Sequence, residues 1–351
     1  MACFHPLKMF VIGEWYDAEN KKHNRTKIVS YKVHHLEENQ FGEWLPVENE
    51  KVGECRAVAF RHFEIPCGKC IGCRLEYSRQ WANRLMLEYK YHDPDKCWFV
   101  TLTYDNENVP VNYFIDSETS QQLPSLSLKK DDAKEFCKTL RNGFRDCRIR
   151  YYLCGEYGDQ TCRPHLHAIL FNVPLDSEKL VRWSTTSQGF TLYKCPELEE
   201  LWCRGNVLVS PVSWETCAYT ARYVTKKLNG DAAKVYETFN IEPPFSLMSR
   251  RPGIGRLYFE EHPDVIEKGL HVSAGSRAIN CDAPRYYKKL FKLTNELDSA
   301  IMAYEGTVRQ DEKVSSVMNH HSKAADDYMA YLKSQEYAQK AAAAVLARSD
   351  N

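Results

Sequence analysis

Two histidines separated by one residue, His165 and His167, lie in an alternating apolar run over residues 163–171 that predicts a β-strand. Because side chains alternate between the two faces of a strand, both imidazoles are expected on the same face. A second alternating run, residues 148–157, ends before a turn-forming cluster, so the two runs predict a hairpin that brings Glu156 close to His165. Two imidazoles and a carboxylate suit Mn²⁺ or Mg²⁺ at least as well as Zn²⁺. The alternative is a pair of sheet histidines beside a solvated turn residue, with no metal.

A helix is predicted over residues 213–228, beginning at the N-cap Ser213. At about 100° per residue, Tyr219 and Tyr223 lie opposite the apolar stripe, with Lys226 on their side and Lys227 near the edge. A phenol, with a pKa of about 10, is a weak nucleophile at neutral pH. A metal ion that polarises a phosphodiester and a lysine that stabilises the growing charge would let it attack phosphorus. The predicted product is a phosphotyrosine link to DNA, and the alternative is a plain surface tyrosine pair.

Three cysteines, Cys67, Cys70 and Cys73, are separated by two-residue gaps and predict a structural zinc site. An iron–sulfur cluster is the alternative, although the Cys-Pro of the bacterial ferredoxin pattern is missing. Cys3 is the first choice for the fourth ligand, and the other candidates are Cys55, His5 and His62. With fourteen cysteines, no signal peptide at the start and no apolar run of about 20 residues, the sequence predicts a cytosolic protein with reduced thiols.

The elements that position these residues predict an α+β fold, with a central antiparallel sheet flanked by helices. A β-rich extension is predicted over residues 1–66, the core with its cysteine motif over 67–260, and a helical region over 261–351. Within the core, the pattern predicts a helix from Ile71, a strand over 97–104 beside the hairpin, and a polar loop over 106–126. Ser127 is then expected to cap a helix that covers the back of the sheet, and residues 207–209 form a further strand.

The charge balance restricts how the chain can bind nucleic acid. Lysine plus arginine and aspartate plus glutamate number 47 each, so the formal net charge is zero. This balance argues against a broad non-specific coat on DNA and predicts binding in a local basic cleft. The candidate DNA-contacting residues are Arg74, Lys227, Arg250, Arg251 and Arg256. The chain carries no phosphate-binding P-loop and hence no visible helicase motor.

The order of three motifs resembles that of the HUH (His-hydrophobic-His) rolling-circle replication initiators. The motifs are Phe-Val-Thr-Leu-Thr-Tyr at 99–104, Pro-His-Leu-His at 164–167 and Tyr-Thr-Ala-Arg-Tyr-Val-Thr-Lys at 219–226. Residues 66–74, 154–158 and 249–255 are more closely similar to the replication initiator of gokushoviruses, small single-stranded DNA bacteriophages of the Microviridae. The resemblance spans about residues 60–256.

The resemblance implies an RRM-like HUH core that nicks single-stranded DNA at the replication origin through a 5′-phosphotyrosine intermediate. It implies Mn²⁺ or Mg²⁺ at Glu156, His165 and His167, with Tyr219, Tyr223 and Lys226 as catalytic residues. The partners implied are the origin DNA and the host replication helicase and polymerase, in the cytoplasm of the bacterial host and away from membranes. Two other functions stay open: a relaxase or transposase with the same chemistry, and a non-catalytic nucleic-acid-binding protein with a structural metal site.

Overall fold

The predicted combination of helices with a large antiparallel sheet is confirmed by the structure, a computed structural model. It describes residues 3–20, 22–158, 161–186, 189–222, 228, 230–274, 277–294, 296–321 and 327–349. The chain divides into two units, one made of Met1–Glu76 and Glu296–Asn351 and the other of Tyr77–Asn295. None of the helices in the described residues is both long enough and apolar enough to cross a membrane.

The strands are numbered in chain order: β1 (Leu7–Tyr16), β2 (Lys22–Ser30), β3 (His35–Glu38), β4 (Trp44–Val47), β5 (Ala57–Ala59), β6 (His62–Ile65), β7 (Trp98–Thr103), β8 (Val111–Ile115), β9 (Gln122–Leu126), β10 (Arg150–Tyr157), β11 (Pro164–Phe171), β12 (Val181–Thr185), β13 (Thr191–Lys194), β14 (Val207–Pro211), β15 (Phe245–Met248), β16 (Leu270–Ala274) and β17 (Arg277–Cys281). The helices are α1 (Ile71–Tyr89), α2 (Lys130–Gly143), α3 (Pro196–Trp202), α4 (Trp214–Arg222), α5 (Lys234–Thr238), α6 (Arg256–Glu261), α7 (Val265–Lys268), α8 (Arg285–Thr294), α9 (Glu296–His321) and α10 (Tyr328–Ser349).

A seven-stranded sheet organises the unit Tyr77–Asn295. Its strand order is β12-β13-β14-β7-β11-β10-β15, and each neighbouring pair is antiparallel. The predicted hairpin is β10 and β11, in which Glu156 pairs with His165 and Cys154 with His167. On the other side of β11, His167 pairs with Thr101 of β7. The three predicted metal ligands therefore lie on two directly paired central strands.

The two faces of this sheet are buried by different helices. Leu166, Ala168 and Leu170 pack in one core with residues of α2 and α3, including Phe136, Leu140, Leu198 and Trp202. Ile169 and Phe171 pack in the other core with residues of α1 and α4, including Trp81, Leu85, Cys217 and Ala221. Burying each such side chain contributes roughly 1.5–3 kcal/mol, which fixes the strands' facing. By strand alternation, His165 and His167 share the face covered by α1 and α4.

The unit Met1–Glu76 with Glu296–Asn351 contains two small sheets, β2-β1-β6 and β4-β3-β5, together with α9 and α10. Phe10, Val33, Leu36 and Ala59 form a buried cluster between these strands. Hydrogen bonds tie its two chain segments together, from Gln310 Nε2 to Glu64 Oε2 at 3.0 Å and between His5 Nε2 and Glu336 Oε2 at 2.7 Å.

Some sequence predictions of local structure are wrong. The polar loop predicted over 106–126 contains the hairpin β8–β9, and the region predicted to be helical after residue 261 also contains the hairpin β16–β17. Ser127 does not cap α2, which begins at Lys130. Its hydroxyl instead accepts a hydrogen bond from the backbone N–H of Glu242 at 3.0 Å and donates to the carbonyl of Leu128 at 2.9 Å. A contact distant in sequence thus replaces the local cap.

Candidate metal and tyrosine site

Glu156, His165 and His167 meet around one carboxylate oxygen. Glu156 Oε1 lies 2.7 Å from His165 Nε2 and 3.2 Å from His167 Nε2. One ligand atom from each residue lies within 4.8 Å of the others, so the three can bind a metal ion. The side chains of Glu156 and His167 are 3% and 4% exposed, whereas that of His165 is 20% exposed. The site therefore opens towards solvent on the His165 side.

The opposite nitrogen of each imidazole is held by a fixed partner. His165 Nδ1 lies 3.2 Å from the carbonyl oxygen of Arg163, which can only accept a hydrogen bond, so Nδ1 carries a proton. His167 Nδ1 lies 3.0 Å from Thr101 Oγ1. When Nδ1 donates in both rings, neutral imidazoles turn both Nε2 lone pairs towards the Glu156 carboxylate. Only a cation, either a proton on the rings or a metal ion, makes this arrangement favourable, which is the donor set expected of a metal site.

The Glu156 carboxyl is held in its ionised form. Burial raises its pKa, but hydrogen bonds from His165 and His167 outweigh the burial and lower the pKa from 4.5 to about 2. A carboxylate that stays ionised at every physiological pH is available as a hard oxygen ligand.

The helix α4 brings a tyrosine against this site. Its start is capped by Ser213, whose Oγ accepts a hydrogen bond from the N–H of Thr216 at 3.2 Å. Cys217 is fully buried on the inner side of the helix, whereas Tyr219 is 44% exposed. The Tyr219 ring lies nearly perpendicular to that of His167, with ring centroids 5.2 Å apart, and also contacts Phe99 at 5.9 Å. Tyr223, Lys226 and Lys227 lie outside the described residues.

The cysteine motif gathers in the other unit, at the start of α1. The Sγ atoms of Cys3, Cys67, Cys70 and Cys73 all lie within 4.8 Å of one another, so these four residues can also bind a metal ion. The Sγ–Sγ distances Cys67–Cys73 and Cys3–Cys70 are both 4.0 Å, near the value of about 3.8 Å that a tetrahedral zinc with bonds of about 2.3 Å requires. Of the four candidates for the fourth position, Cys3 occupies it.

Backbone N–H groups also point at these sulfurs. The N–H of Phe4 donates to Cys70 Sγ at 3.3 Å and that of Cys67 to Cys3 Sγ at 3.2 Å. Burial raises the pKa of the Cys70 thiol, but hydrogen bonds from the N–H groups of Phe4 and Cys73 outweigh it and lower the pKa to about 7. This thiol is thus readily deprotonated, as a metal ligand must be.

The predicted DNA-contacting arginines lie in different surroundings. Arg74 is half-buried in the first turn of α1, in the same unit as the cysteines. Arg250 and Arg251 are exposed and line a cleft in the unit that contains the sheet. Arg256, at the start of α6, forms an ion pair with Glu260 at 2.6 Å, which leaves it less available for phosphate than the other two.

Thr101 and Phe99 contribute to the site although the sequence assigned them no role there. Both lie on the same face of β7, and Thr101 is paired directly with His167. Alternation along β7 gives this facing from sequence, but the pairing of β7 with β11 depends on the tertiary fold.

Comparison with known proteins places these residues in a family. Residues 97–228, which include Glu156, both histidines and both tyrosines, match the family model of the replication-associated protein ORF2. The chain is 32% identical to the replication-associated protein ORF2 of Spiroplasma virus 4 over 230 residues, 64% of this chain and 67% of that protein. The chain belongs to this family of phage replication-associated proteins.

Two further members of the family support the assignment. The replication-associated protein VP4 of Bdellovibrio phage phiMH2K is 29% identical over 276 residues, which are 77% of this chain and 80% of that protein. The replication-associated protein ORF4 of Chlamydia phage 1 is 30% identical over 171 residues, 47% of this chain and 39% of that protein. No solved structure gives a significant match. The resemblance to phage replication initiators drawn from the sequence motifs is confirmed.

Proposed function

We propose that this replication-associated protein is a metal-dependent HUH endonuclease and strand transferase. It nicks single-stranded DNA at the origin and remains attached through a 5′-phosphotyrosine, which starts rolling-circle replication of a small phage. The observation that carries the proposal is the contact of Tyr219 with His167, which brings a phenol to the edge of a Glu/His/His group. A shared antiparallel sheet with an RRM-like HUH core is part of the same proposal.

The residues at the site have separate roles in the proposed reaction. Glu156, His165 and His167 hold Mn²⁺ or Mg²⁺, and Thr101 and the Arg163 carbonyl orient the two imidazoles. The bound ion supplies Lewis-acid polarisation of the scissile phosphate. Tyr219 or Tyr223 is the nucleophile, and Lys226 stabilises the charge that develops on the phosphoryl oxygens. Exposure of Tyr219 and of the His165 side leaves the face open to a strand of DNA.

The chemical step exchanges one phosphodiester for another. The tyrosine oxygen forms a bond to phosphorus while the bond from phosphorus to the 3′ oxygen breaks. The phenol loses a proton and the departing 3′ oxygen takes one up, so the exchange releases no net proton. Because the phosphotyrosine link retains the energy of the broken bond, a 3′ hydroxyl can reverse it, with the second tyrosine available for a second transfer.

The four-cysteine group is proposed to hold a structural Zn²⁺. Cys3, Cys67, Cys70 and Cys73 form a closed set of sulfur ligands with no position for substrate, which is typical of structural zinc sites. Such an ion would fasten the amino-terminal residues to the first turn of α1. An iron–sulfur cluster would use the same thiols and would give the purified protein a brown colour.

The phage relatives favour replication over plasmid mobilisation or transposition as the biological setting. Since the sequence contains no P-loop, the proposal assigns strand separation and synthesis to the helicase and polymerase of the host.

The test is covalent capture of DNA. The purified protein is incubated with Mn²⁺ and 5′-labelled or internally labelled single strands that tile the genome encoding it, and the products are separated in SDS. An SDS-stable adduct, absent in EDTA and absent from the Tyr219→Phe/Tyr223→Phe variant, is the expected result. Tyr113→Phe is the matched control, because Tyr113 is an exposed tyrosine on β8, outside the site. Binding without any adduct on any segment would instead assign a non-catalytic role.

A further inference from the structure

A cleft lined by arginines lies at the end of the β10–β11 hairpin opposite to Glu156. Its volume is about 510 Å³, and it is lined by residues of the α2–β10 connection, of β10 and of the segment after β15. The five arginines that line it, which we call the arginine cleft, are Arg141, Arg148, Arg150, Arg250 and Arg251. None of its ten lining residues is acidic. In a chain with no net charge, this is a marked local concentration of positive charge.

Four of these guanidinium groups are available to a ligand. Arg141, Arg148, Arg250 and Arg251 are exposed. Within the described part of the chain, none of the four forms an ion pair with a carboxylate. Arg141 lies over the ring of Tyr151, with the guanidinium carbon 5.0 Å from the ring centroid, which limits its motion. Guanidinium groups recognise phosphate oxygens through paired N–H donors and stay charged at every physiological pH.

The fifth arginine fixes the shape of the cleft from below. Arg150 is 6% exposed; its Nε donates to Glu88 Oε1, and its Nη1 donates to the carbonyl of Pro252 at 3.0 Å. Glu88 Oε2 also accepts the backbone N–H of Gly255 at 2.7 Å. Two residues on either side of the turn that follows Arg251 are thus tied to one buried ion pair. Arg150 Nη2 has no hydrogen-bond partner in the described residues.

The turn itself is packed against protein. A side chain at Gly253 would clash with the hydroxyl of Tyr286, so the glycine is needed for close approach to α8 rather than for approach to a ligand. Arg250 and Arg251 are therefore presented on a supported turn, and a ligand that binds them has little loop ordering to overcome.

The strand β10 sets the distance between this cleft and the metal ligands. Arg150 is its first residue and Glu156 lies six residues further along. At about 3.3 Å per residue, the two positions are about 20 Å apart. That separation corresponds to about six base-pair steps along a duplex with a rise of about 3.4 Å per step.

We propose that the arginine cleft binds the sugar–phosphate backbone of the origin DNA about 20 Å from the phosphate that is cut. This inference rests on the proposed function, because the DNA that it anchors is the substrate of the Glu/His/His and tyrosine site. The contact is to phosphates and carries no base sequence information, so its role is to fix the position of the strand and to raise affinity. A flanking single strand and a flanking duplex offer the same phosphate chemistry, and the experiment separates them.

The test compares Arg251→Gln with Arg182→Gln, which removes the same charge from an exposed arginine on β12, the opposite edge strand of the sheet. Binding of labelled random-sequence DNA is followed by fluorescence anisotropy in EDTA over a range of NaCl concentrations, in one arm with a single strand and in the other with a hairpin duplex. Each lost phosphate contact should lower the slope of log K against log salt by about 0.7 for a single strand or about 0.9 for a duplex. The affinity of Arg251→Gln should fall by a factor on the order of ten. The Arg250→Gln/Arg251→Gln variant should approximately double the change in slope.

The arm that shows the change identifies the kind of flank. If Arg251→Gln and Arg182→Gln gave equal slopes and affinities in both arms, the arginine cleft would not be a DNA contact, even if the wild-type protein formed its covalent adduct normally. If the wild type formed no adduct but Arg251→Gln still lost salt-dependent binding, the cleft would stand and the nuclease proposal would fail. Adduct formation with an oligonucleotide too short to reach the cleft should be unaffected by Arg251→Gln. A loss of that adduct would overturn the assignment of a remote anchor.

Discussion

Replacement of Glu156 by glutamine removes the charge at the centre of the site while nearly preserving its shape. In the metal-free folded protein the pKa of this carboxyl falls from 4.5 to about 2. Because each unit is worth about 1.4 kcal/mol, the ionised carboxylate contributes on the order of 3 kcal/mol to the free energy of unfolding. A carboxyl with a lowered pKa stabilises the fold above its unfolded pKa, and the contribution disappears as the pH falls through the folded pKa. About two-thirds of it is therefore lost by pH 3.

Urea unfolding in EDTA at pH 7 and at pH 3 measures this contribution. Wild type should lose about 2 kcal/mol more than Glu156→Gln between the two conditions. Glu118→Gln is the matched control, since Glu118 is an exposed carboxyl in the turn between β8 and β9, and it should follow wild type. A second measurement at pH 7 adds Mn²⁺. At a concentration of about 100 times its Kd, the ion should stabilise wild type by about 2.7 kcal/mol and Glu156→Gln far less.

Two results would refute this reasoning. If Glu156→Gln and wild type had the same dependence of stability on pH, the imidazoles would not be holding the carboxyl in its ionised form. If Mn²⁺ stabilised both proteins equally, Glu156 would not be a ligand, and the Glu/His/His assignment would be withdrawn.

Three further variants address the remaining residues. Thr101→Val removes the partner of His167 Nδ1 and should raise the Mn²⁺ concentration needed for adduct formation about 10- to 100-fold, measured by titration of the metal. Cys70→Ser should abolish the binding of one zinc ion per chain, measured by native mass spectrometry, because it removes one of four sulfur ligands. Lys226→Ala should slow formation of the adduct from bound DNA without weakening DNA binding, measured by single-turnover kinetics.

Each of these variants has a control or an outcome that contradicts it. Thr103→Val changes a threonine of the same strand face whose hydroxyl donates to the Asn206 carbonyl, and it should leave the metal dependence unchanged. Cys203→Ser alters an exposed cysteine and should retain zinc. Retention of zinc by Cys70→Ser would exclude the four-sulfur site. If Lys226→Ala weakened binding and left the rate within the complex unchanged, the lysine would be a phosphate anchor.

The hairpin that carries the metal ligands could be predicted because both of its strands are buried at the centre of a sheet. Alternation then shows in the sequence, and it placed Glu156 opposite His165 and both histidines on one face. The hairpins β8–β9 and β12–β13 gave no such signal. Val181, Trp183 and the other residues of β12 are all exposed, so neither face of that strand is distinguished by apolar residues.

Contacts between distant segments explain most of what the sequence did not reveal. The ion pair of Arg150 with Glu88 joins residues 62 positions apart, and it determines that Arg150 supports the arginine cleft instead of facing a ligand directly. Likewise, only the folded chain shows that Arg256 is paired with Glu260, while Arg251 is exposed in the cleft. Cys3 is the exception, because three closely spaced cysteines demand a fourth donor and few thiols were candidates.

The direct pairing of β10 with β11 determines where this protein can tolerate a change in length. A residue inserted into β10 just before Glu156, or between His165 and His167, would turn one ligand to the opposite face of the sheet. The connection from Gly158 to Arg163 is under no such constraint, since the hydrogen bond from the Gly158 N–H to the Arg163 carbonyl, 3.0 Å long, closes the strands before it begins. Peptide tags or fluorophore sites for following the enzyme on DNA should therefore be introduced in that connection.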